Sequence, residues 1–190
     1  RGRIARDDEW SQIEADWVRV DGRLEPHPGE EPPLEAYLAN VEARGDVHVT
    51  YAGDGEMDGR ADRFTVDGQG RGRLSAGAGK RVTATGRMDG ALAAYTLSAD
   101  WIDFDPETIR ASRVEGGLQD PQAPSAEGAF LKEMRARSIE ATREQILFDG
   151  DAHIAGRLAQ GDEWSLDAGS IRIQGDFRDP SVIHADRVRS

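Results

Sequence analysis

The sequence predicts an all-β protein: a twisted, open β-jellyroll or β-solenoid-like stack of short antiparallel strands, with at most one or two short helices. Three observations indicate this fold. Apolar and polar residues alternate in short runs, as in strands with one buried face. The chain holds 22 glycines, many of them in Asp-Gly pairs that favour turns. One pattern of alternation, interruption and renewed alternation also recurs along the chain.

The recurring pattern has an alanine at its centre. One copy alternates up to Ala99, skips positions 100–101 and resumes at Ile102. The other copies centre on Ala15, Ala61, Ala111, Ala168 and Ala185, and a looser copy runs from Ile139 and Ala141 to Ile146 and Phe148. Successive side chains of a strand point to opposite faces. The apolar residues before and after the two skipped positions can therefore lie on the same face of the sheet only if the strand has a corner or a bulge between them. The pattern therefore predicts a sheet folded over on itself around one apolar interior.

We predict a single domain over residues 1–190 with two interruptions. A Pro-rich insert lies near 26–33, and a linker-like gap lies near 120–130. The segment 129–134 has the amphipathic spacing of a short helix, and 34–38 fits one helical turn. The alanine-centred pattern occurs on both sides of the gap, which favours one domain over two.

No catalytic or metal-binding constellation stands out, so we predict a non-enzymatic protein without a cofactor. The carboxylates of Asp100, Asp103 and Asp105 lie close together in sequence, but they lack the glycine and the terminal glutamate of a calcium loop. The four histidines lack the spacing of metal ligands, and His48 and His153 fit outward strand positions. The chain has no cysteine, which excludes disulfides and thiol nucleophiles.

Charge and hydropathy exclude further classes of function. The net charge of −12 argues against a nucleic-acid partner, because phosphate binding needs clustered lysine and arginine. The sequence has no apolar run of about 18 residues, so we expect no transmembrane helix.

The candidate binding site is the set of apolar residues that the pattern turns inward. Either these side chains only hold the fold together, or the folded sheet closes incompletely and leaves an apolar groove for acyl chains. Trp17 and Trp101 fall on the outward side, where we expect them to cover a neighbouring strand rather than to form an interaction surface. The predicted ligand-binding residues are Phe64, Val66, Leu97, Ile102, Phe104, Ile109, Val114, Phe148, Ile171 and Ile173.

Several short motifs carry a family resemblance. They are Ala-Asp-Arg-Phe-Thr-Val-Asp (61–67), Val-Thr-Ala-Thr-Gly (82–86), Leu-Ser-Ala-Asp-Trp-Ile-Asp-Phe-Asp (97–105), Ile-Arg-Ala-Ser-Arg-Val (109–114) and His-Ala-Asp-Arg-Val (184–188). Together they resemble the OstA-like family, the periplasmic lipopolysaccharide-transport proteins of the LptA and LptC type. The likeness is clearest over 59–116 and weaker over 138–190. The Pro-rich insert, the gap and the strong acidity depart from the family pattern.

The resemblance implies a function and a set of partners. It implies a periplasmic bridge or scaffold module that carries lipopolysaccharide, or a related acyl lipid, toward the outer membrane, and a longer protein with a membrane anchor would fit this role. It also implies edge-strand pairing with other OstA-like domains or with further copies of the chain. The groove lining that it implies is Phe64, Val66, Leu97, Ile102, Phe104, Ile109 and Val114.

Two alternatives stay open. The chain could be a structural or adhesive β-solenoid fragment of a larger envelope protein, with a filled interior and no ligand. With less support, it could be a carbohydrate-active β-helix enzyme that uses clustered surface carboxylates.

Overall fold

A computed structural model describes residues 2–6, 9–22, 38–52, 56–87, 95–118, 131–142, 144–157, 162–176 and 179–188. Within these ranges all regular structure is β, and every strand belongs to one antiparallel sheet. The predicted all-β fold of stacked antiparallel strands is therefore confirmed. The strands are β1 (Gly2–Arg6), β2 (Glu9–Glu14), β3 (Trp17–Gly22), β4 (Leu38–Ala52), β5 (Glu56–Asp67), β6 (Gly72–Ser75), β7 (Val82–Arg87), β8 (Tyr95–Ala99), β9 (Trp101–Phe104), β10 (Thr108–Leu118), β11 (Leu131–Thr142), β12 (Gln145–Arg157), β13 (Glu163–Asp176) and β14 (Asp179–Asp186).

The sheet is folded into two layers, here called leaves. Most of the paths that the chain takes across the sheet bend through a corner near their midpoint, so one half lies in each leaf. The first half of β4 pairs with β3, and its second half pairs with β2. In the same way β10 pairs with β9 before its corner and with β8 after it. Each leaf contains ten strand segments. The segments of the first leaf are 17–22, 38–44, 63–67, 72–75, 101–104, 108–112, 138–142, 145–149, 170–176 and 179–186. Those of the second leaf are 2–6, 9–14, 47–52, 56–61, 82–87, 95–99, 114–118, 131–136, 152–157 and 163–168.

Two kinds of corner alternate along the line where the leaves join. In one kind the corner residue follows an alanine, as at Asp16 and Asp100. In the other kind the backbone enters the left-handed region, as at Gly45 with φ of 73° and Arg113 with φ of 49°. Neighbouring corners are joined by backbone hydrogen bonds, from the Asp16 N–H to the Gly45 carbonyl and from the Asp100 N–H to the Ser112 carbonyl, both at 2.9 Å. The alanine-centred pattern thus marks real corners, and the hydrogen-bond ladder continues through them.

Large aliphatic and aromatic side chains are completely buried between the leaves. Phe148 and Ile171 belong to the first leaf, whereas Leu131 and Ile154 belong to the second, and the exposed fraction of each is 0%. A single sheet layer leaves one face open to water, so burial to this degree requires the two leaves to cover each other. The core therefore lies on the inner side of the fold and begins at the corners.

Three local predictions are wrong. The predicted helix at 129–134 is strand from Leu131 onward, and residues 129–130 lie outside the described ranges. A β-bulge between Leu131 and Glu133 places Leu131 and Met134 on the same inner face, which reproduces a helical spacing of three. The looser pattern copy from Ile139 to Phe148 crosses the turn between β11 and β12 and is a hairpin, not a corner. Asp58-Gly59 is one of the Asp-Gly pairs from which the sequence predicts turns, but it lies inside β5 opposite Thr50 and Val49.

The two predicted interruptions lie outside the described residues. This applies to the Pro-rich insert at 26–33, to the gap at 120–130 and to residues 34–37 of the predicted helical turn, while Leu38 begins β4.

Candidate functional site

The inner face of the first leaf carries two continuous rows of apolar and glycine residues, each crossing ten strand segments. The row beside the corners, here called the corner row, consists of Val18, Ala43, Phe64, Leu74, Ile102, Ala111, Ile139, Phe148, Ile171 and Ala185. The next row outward, here called the mouth row, consists of Val20, Val41, Val66, Gly72, Phe104, Ile109, Ala141, Ile146, Ile173 and Ile183. Each member is the direct cross-strand partner of the next, so the rows form one apolar surface.

All ten predicted binding residues lie on the inner face. Four belong to the corner row, four belong to the mouth row, and Leu97 and Val114 face them from the second leaf. Of the mouth-row members among them, Ile173 is buried, Val66 and Phe104 are half-buried, and Ile109 is 50% exposed. The structure therefore brings the predicted residues to one surface, while their access to solvent differs widely.

Several inner residues were missed by the sequence reasoning. They are Val41, Val47, Val49, Leu74, Val82, Leu131 and Ile154, all of them buried. Leu74 is the one large apolar side chain of the four-residue strand β6, which is too short to show alternation. The alternation of Val47 and Val49 was visible in the sequence, but only the neighbouring corner at Gly45 assigns it to the interior.

The aromatic residues of the groove pack across a glycine. The rings of Phe64 and Phe104 are stacked, with their centroids 6.1 Å apart. Gly72 lies between Val66 and Phe104 in the mouth row. A β-carbon at position 72 would lie 2.5 Å from the Thr65 carbonyl oxygen and would overlap the Phe104 ring. The missing side chain therefore lets Phe104 lean across β6 toward Phe64.

The buried residues form two clusters along the fold. The first contains residues from Val41 to Val114, and the second contains residues from Leu131 to Ile173. Ile139 packs against both clusters and joins them. These clusters, here called the N-terminal block (Val41 to Val114) and the C-terminal block (Leu131 to Ile173), thus share one continuous interior that differs in its side chains from one end to the other.

The outer face is polar, and an arginine side chain lies over the ring of Trp17 and over that of Trp101. The Arg44 guanidinium lies 5.2 Å from the Trp17 ring centroid, and the Arg73 guanidinium lies 4.9 Å from the Trp101 ring centroid. Both arginines belong to the strand that pairs with the tryptophan's own strand. These contacts agree with the prediction that Trp17 and Trp101 cover neighbouring strands.

Each clustered carboxylate has a structural partner. Asp100 pairs with Arg113, and Asp103 pairs with Arg73 across neighbouring strands. Asp105 accepts hydrogen bonds from the backbone N–H groups of Glu107 at 2.9 Å and Thr108 at 2.8 Å, which closes the turn before β10. Corner, cross-strand and turn contacts therefore account for all three carboxylates.

Of the three described histidines on the outer face, His48 and His153 each lie beside one carboxylate. The ring of His48 lies 2.6 Å from an Asp58 carboxylate oxygen, and that of His153 lies 3.0 Å from an Asp167 oxygen. Among the residues that the structure describes, no three histidine or acidic side chains come together as a metal site would require.

The longest corner connection in the described part of the chain is anchored by a carboxylate. Residues 76–81 connect β6 to β7, and Asp62 accepts hydrogen bonds from the Gly77 N–H and from the Lys80 ammonium, both at 2.6 Å. The Lys80 ammonium, and after it the Gly77 N–H, hold the pKa of Asp62 below its usual value. Asp62 therefore fixes the one corner that is built as a loop among those described.

This anchor makes the loop sensitive to acid. A depressed carboxyl pKa contributes stability above the unfolded value of about 3.9, and that contribution is lost as the pH falls through the folded pKa. We expect the Gly77 amide proton chemical shift to titrate with a midpoint below about 3.9, and Asp62→Asn to abolish this titration. A midpoint at or above the unfolded value would show that the anchor is not formed in solution.

The edge of the first leaf away from the corners is acidic in its described part. The described residues of its turns are 67–71, 105–107, 142, 144 and 145. They present Asp67, Asp105, Glu107 and Glu144, with Arg71 bound to Asp67 at 2.9 Å. These residues form an acidic rim beside the mouth row.

No helix in the described part of the chain is long and apolar enough to cross a bilayer. No family model, no curated protein and no solved structure matches the chain.

Proposed function

We propose that the protein is an OstA-like lipid-binding bridge or scaffold module, which works in the periplasm in lipopolysaccharide transport to the outer membrane. The observation that carries this proposal is the pair of unbroken apolar rows that cross ten strand segments and reach both edges of the first leaf, at β3 and β14. An apolar surface that continues through every strand segment of the first leaf suits a ligand made of long hydrocarbon chains. Each buried methylene contributes about 0.8 kcal/mol to binding.

The two edges support the bridging part of the proposal. At the β3 edge Val18 and Val20 are exposed, and at the β14 edge Ile183 and Ala185 are exposed. These residues are the terminal members of the two rows, so a second copy joined by strand addition would continue both rows. Among the described residues β3 pairs only with β4 and β14 only with β13, and exposed apolar residues on such edge strands favour pairing with another chain.

Purification from a lipopolysaccharide-producing host tests the lipid-binding function. We expect mass spectrometry of the native protein to detect co-purifying lipopolysaccharide or a related acyl lipid, and the purified protein to take up labelled lipopolysaccharide. The matched control is Ile109→Asp, which places a charge on the half-exposed part of the mouth row. Absence of lipid from the unsubstituted protein, together with no uptake, would contradict the proposal.

The acidic rim predicts a dependence on divalent cations. The carboxylates of Asp67, Asp105, Glu107 and Glu144 outnumber the arginines that pair with them, Arg71 and Arg110, so the rim repels a phosphate-bearing headgroup, whereas magnesium screens and bridges the like charges. We expect millimolar Mg²⁺ to tighten lipopolysaccharide binding several-fold, and Glu107→Gln combined with Glu144→Gln to reduce that dependence. Equal affinity with and without Mg²⁺, measured by equilibrium binding of fluorescent lipopolysaccharide, would contradict this role of the rim.

A structural or adhesive β-solenoid is the second candidate. It is favoured by the completely buried side chains of Phe148, Ile154 and Ile171, which fill the space between the leaves in the C-terminal block. A protein that binds no lipid but still assembles through its edges would support this candidate.

A further inference from the structure

A groove follows the outer side of the corners in the middle of the fold. It consists of two open cavities of about 560 Å³ and 540 Å³, and their shared lining residues are Gly79, Lys80, Asp100 and Arg113. The corners that carry these residues are joined in succession. The Ala76 N–H donates to the Asp100 carbonyl at 3.3 Å, and the Asp100 N–H donates to the Ser112 carbonyl at 2.9 Å. The groove is therefore one surface that crosses three neighbouring corners.

The first of these cavities is rich in cations, although the chain as a whole is acidic. Its charged lining residues are four cations and one carboxylate, namely Arg63, Arg73, Lys80, Arg113 and Asp100. The lining of the second cavity contains five cations and three carboxylates. The whole chain, in contrast, has 24 lysines and arginines against 36 acidic residues. Of the two cavities, the first therefore favours an anion more strongly.

The four cations of the first cavity are paired and still accessible. Their partners are Glu42 for Arg63, Asp103 for Arg73, Asp62 for Lys80 and Asp100 for Arg113. Of these carboxylates, Asp100 alone belongs to the lining. The side chains of Lys80 and Arg113 are 68% and 73% exposed. An ammonium has three N–H donors and a guanidinium has five, so each cation can keep its carboxylate and donate to a second anion as well.

Arg113 has a strained backbone conformation at the centre of the groove. Its φ of 49° lies in the left-handed region, where a β-carbon crowds the neighbouring carbonyl and glycine is favoured. Gly45 and Gly150 occupy this region at two other corners, with φ of 73° and 76°. A large side chain at such a position is kept at a cost to stability, and this points to a function for the Arg113 guanidinium.

Two hydroxyl groups and an aromatic ring complete the first cavity, since Thr65, Ser75 and Trp101 line it beside the cations. The hydroxyl groups can exchange hydrogen bonds with those of a sugar. A phosphate monoester carries a charge of about −2 at pH 7 and three acceptor oxygens, which suits several cations at once. The volume of the cavity also lies within the range of about 300–1,000 Å³ that is usual for small-molecule sites.

We propose that the first cavity binds a phosphate monoester carried by a sugar or a similar polyol, with the phosphoryl group between the Lys80 ammonium and the Arg113 guanidinium. The planar guanidinium donates to two phosphoryl oxygens, and the sugar ring lies against Ser75 and Trp101. The site lies on the outer side of the fold, away from the two apolar rows. It therefore goes beyond the proposed lipid-binding function and does not depend on it.

Titration of the full chain with glucose 6-phosphate tests the site, with glucose as the uncharged control. The chemical shifts of the Gly77 and Gly79 amide protons report binding. We expect glucose 6-phosphate to move both signals in a saturable way and glucose to leave them unchanged. Phosphatidylcholine vesicles that contain phosphatidylinositol 4-phosphate form a second arm, read by cosedimentation. Binding of glucose 6-phosphate identifies a soluble ligand, whereas binding to the vesicles alone identifies a lipid headgroup as the source of the phosphate.

Two matched glycine substitutions test the role of the guanidinium. Arg113→Gly removes this group but suits the backbone, so we expect the variant to fold with the same or greater stability. Arg187→Gly relieves the same kind of strain, at a φ of 58°, outside the groove. We expect Arg113→Gly to weaken binding about tenfold or more and Arg187→Gly to leave it unchanged.

No binding in either arm, an equal response to glucose, or unchanged affinity in Arg113→Gly would overturn the proposal. An equal loss in Arg187→Gly would overturn it as well. Arg63→Gln removes a second cation of the cavity without changing a strained corner, and we expect it to weaken binding several-fold, which provides the test if Arg113→Gly fails to fold. Lipopolysaccharide uptake is measured separately, so a failure of this site and a failure of the proposed function are distinguishable.

Discussion

We expect Phe148→Ala to lower the free energy of unfolding by about 3–5 kcal/mol, the usual cost of removing a buried aromatic side chain. Phe148 is 0% exposed and lies in the corner row between Ile139 and Ile171. Its loss leaves a cavity at the centre of the C-terminal block, where the two leaves meet. Chemical denaturation followed by tryptophan fluorescence measures the effect.

The matched control for Phe148→Ala is Leu147→Ala on the same strand. Leu147 points to the outer face and is only partly buried, so we expect a much smaller loss of stability. Similar losses for the two variants would show that the leaves are not packed against each other at this point.

We expect single charges at the two edges to abolish self-association. Val20→Asp interrupts the mouth row at the β3 edge, and Ile183→Asp interrupts it at the β14 edge. Both side chains are exposed in the single copy, so the fold tolerates the change. In sedimentation velocity, each variant alone should remain monomeric at concentrations where the unsubstituted protein forms a series of oligomers.

A mixture of the two edge variants gives the sharper result. A head-to-tail contact uses a different surface on each partner, so each variant keeps one competent edge. The Val20→Asp chain still offers its β14 edge, and the Ile183→Asp chain still offers its β3 edge. We expect the mixture to form dimers and nothing larger, whereas oligomers of either variant alone, or a mixture that stays monomeric, would contradict head-to-tail pairing.

The folded sheet was predictable because one local rule produces it. A strand that resumes its apolar alternation in the opposite phase must turn, and the turn after Ala99 or Ala168 is visible in any stretch of about eight residues. The Ile139–Phe148 copy shows the limit of the rule, since a hairpin and a corner both change the phase. The bulge beside Leu131 shows another limit, because an extra residue gives a strand the spacing of a helix.

The candidate site was only partly predictable. Alternation assigns Ile109 and Ile173 to the same face, and both lie in the mouth row. It gives no information on what covers them, and their exposed fractions are 50% and 2%. That difference depends on the opposing leaf, whose segments are distant in sequence, so it follows only from the three-dimensional arrangement.

Because the register of the two rows is unbroken, the number of strand segments sets the length of the protein along the stacking direction. Ten segments at a pitch of about 4.8 Å span roughly 48 Å along the stacking direction, so each copy would add that length to the proposed head-to-tail assembly. The β11–β12 hairpin could be cut out without changing strand direction, because β13 runs parallel to β11 and would present Ile171 to Ala111 and Ile173 to Ile109. The number of hairpins thus sets the length of the protein along the stacking direction. Adding or removing one hairpin changes that length by about 10 Å.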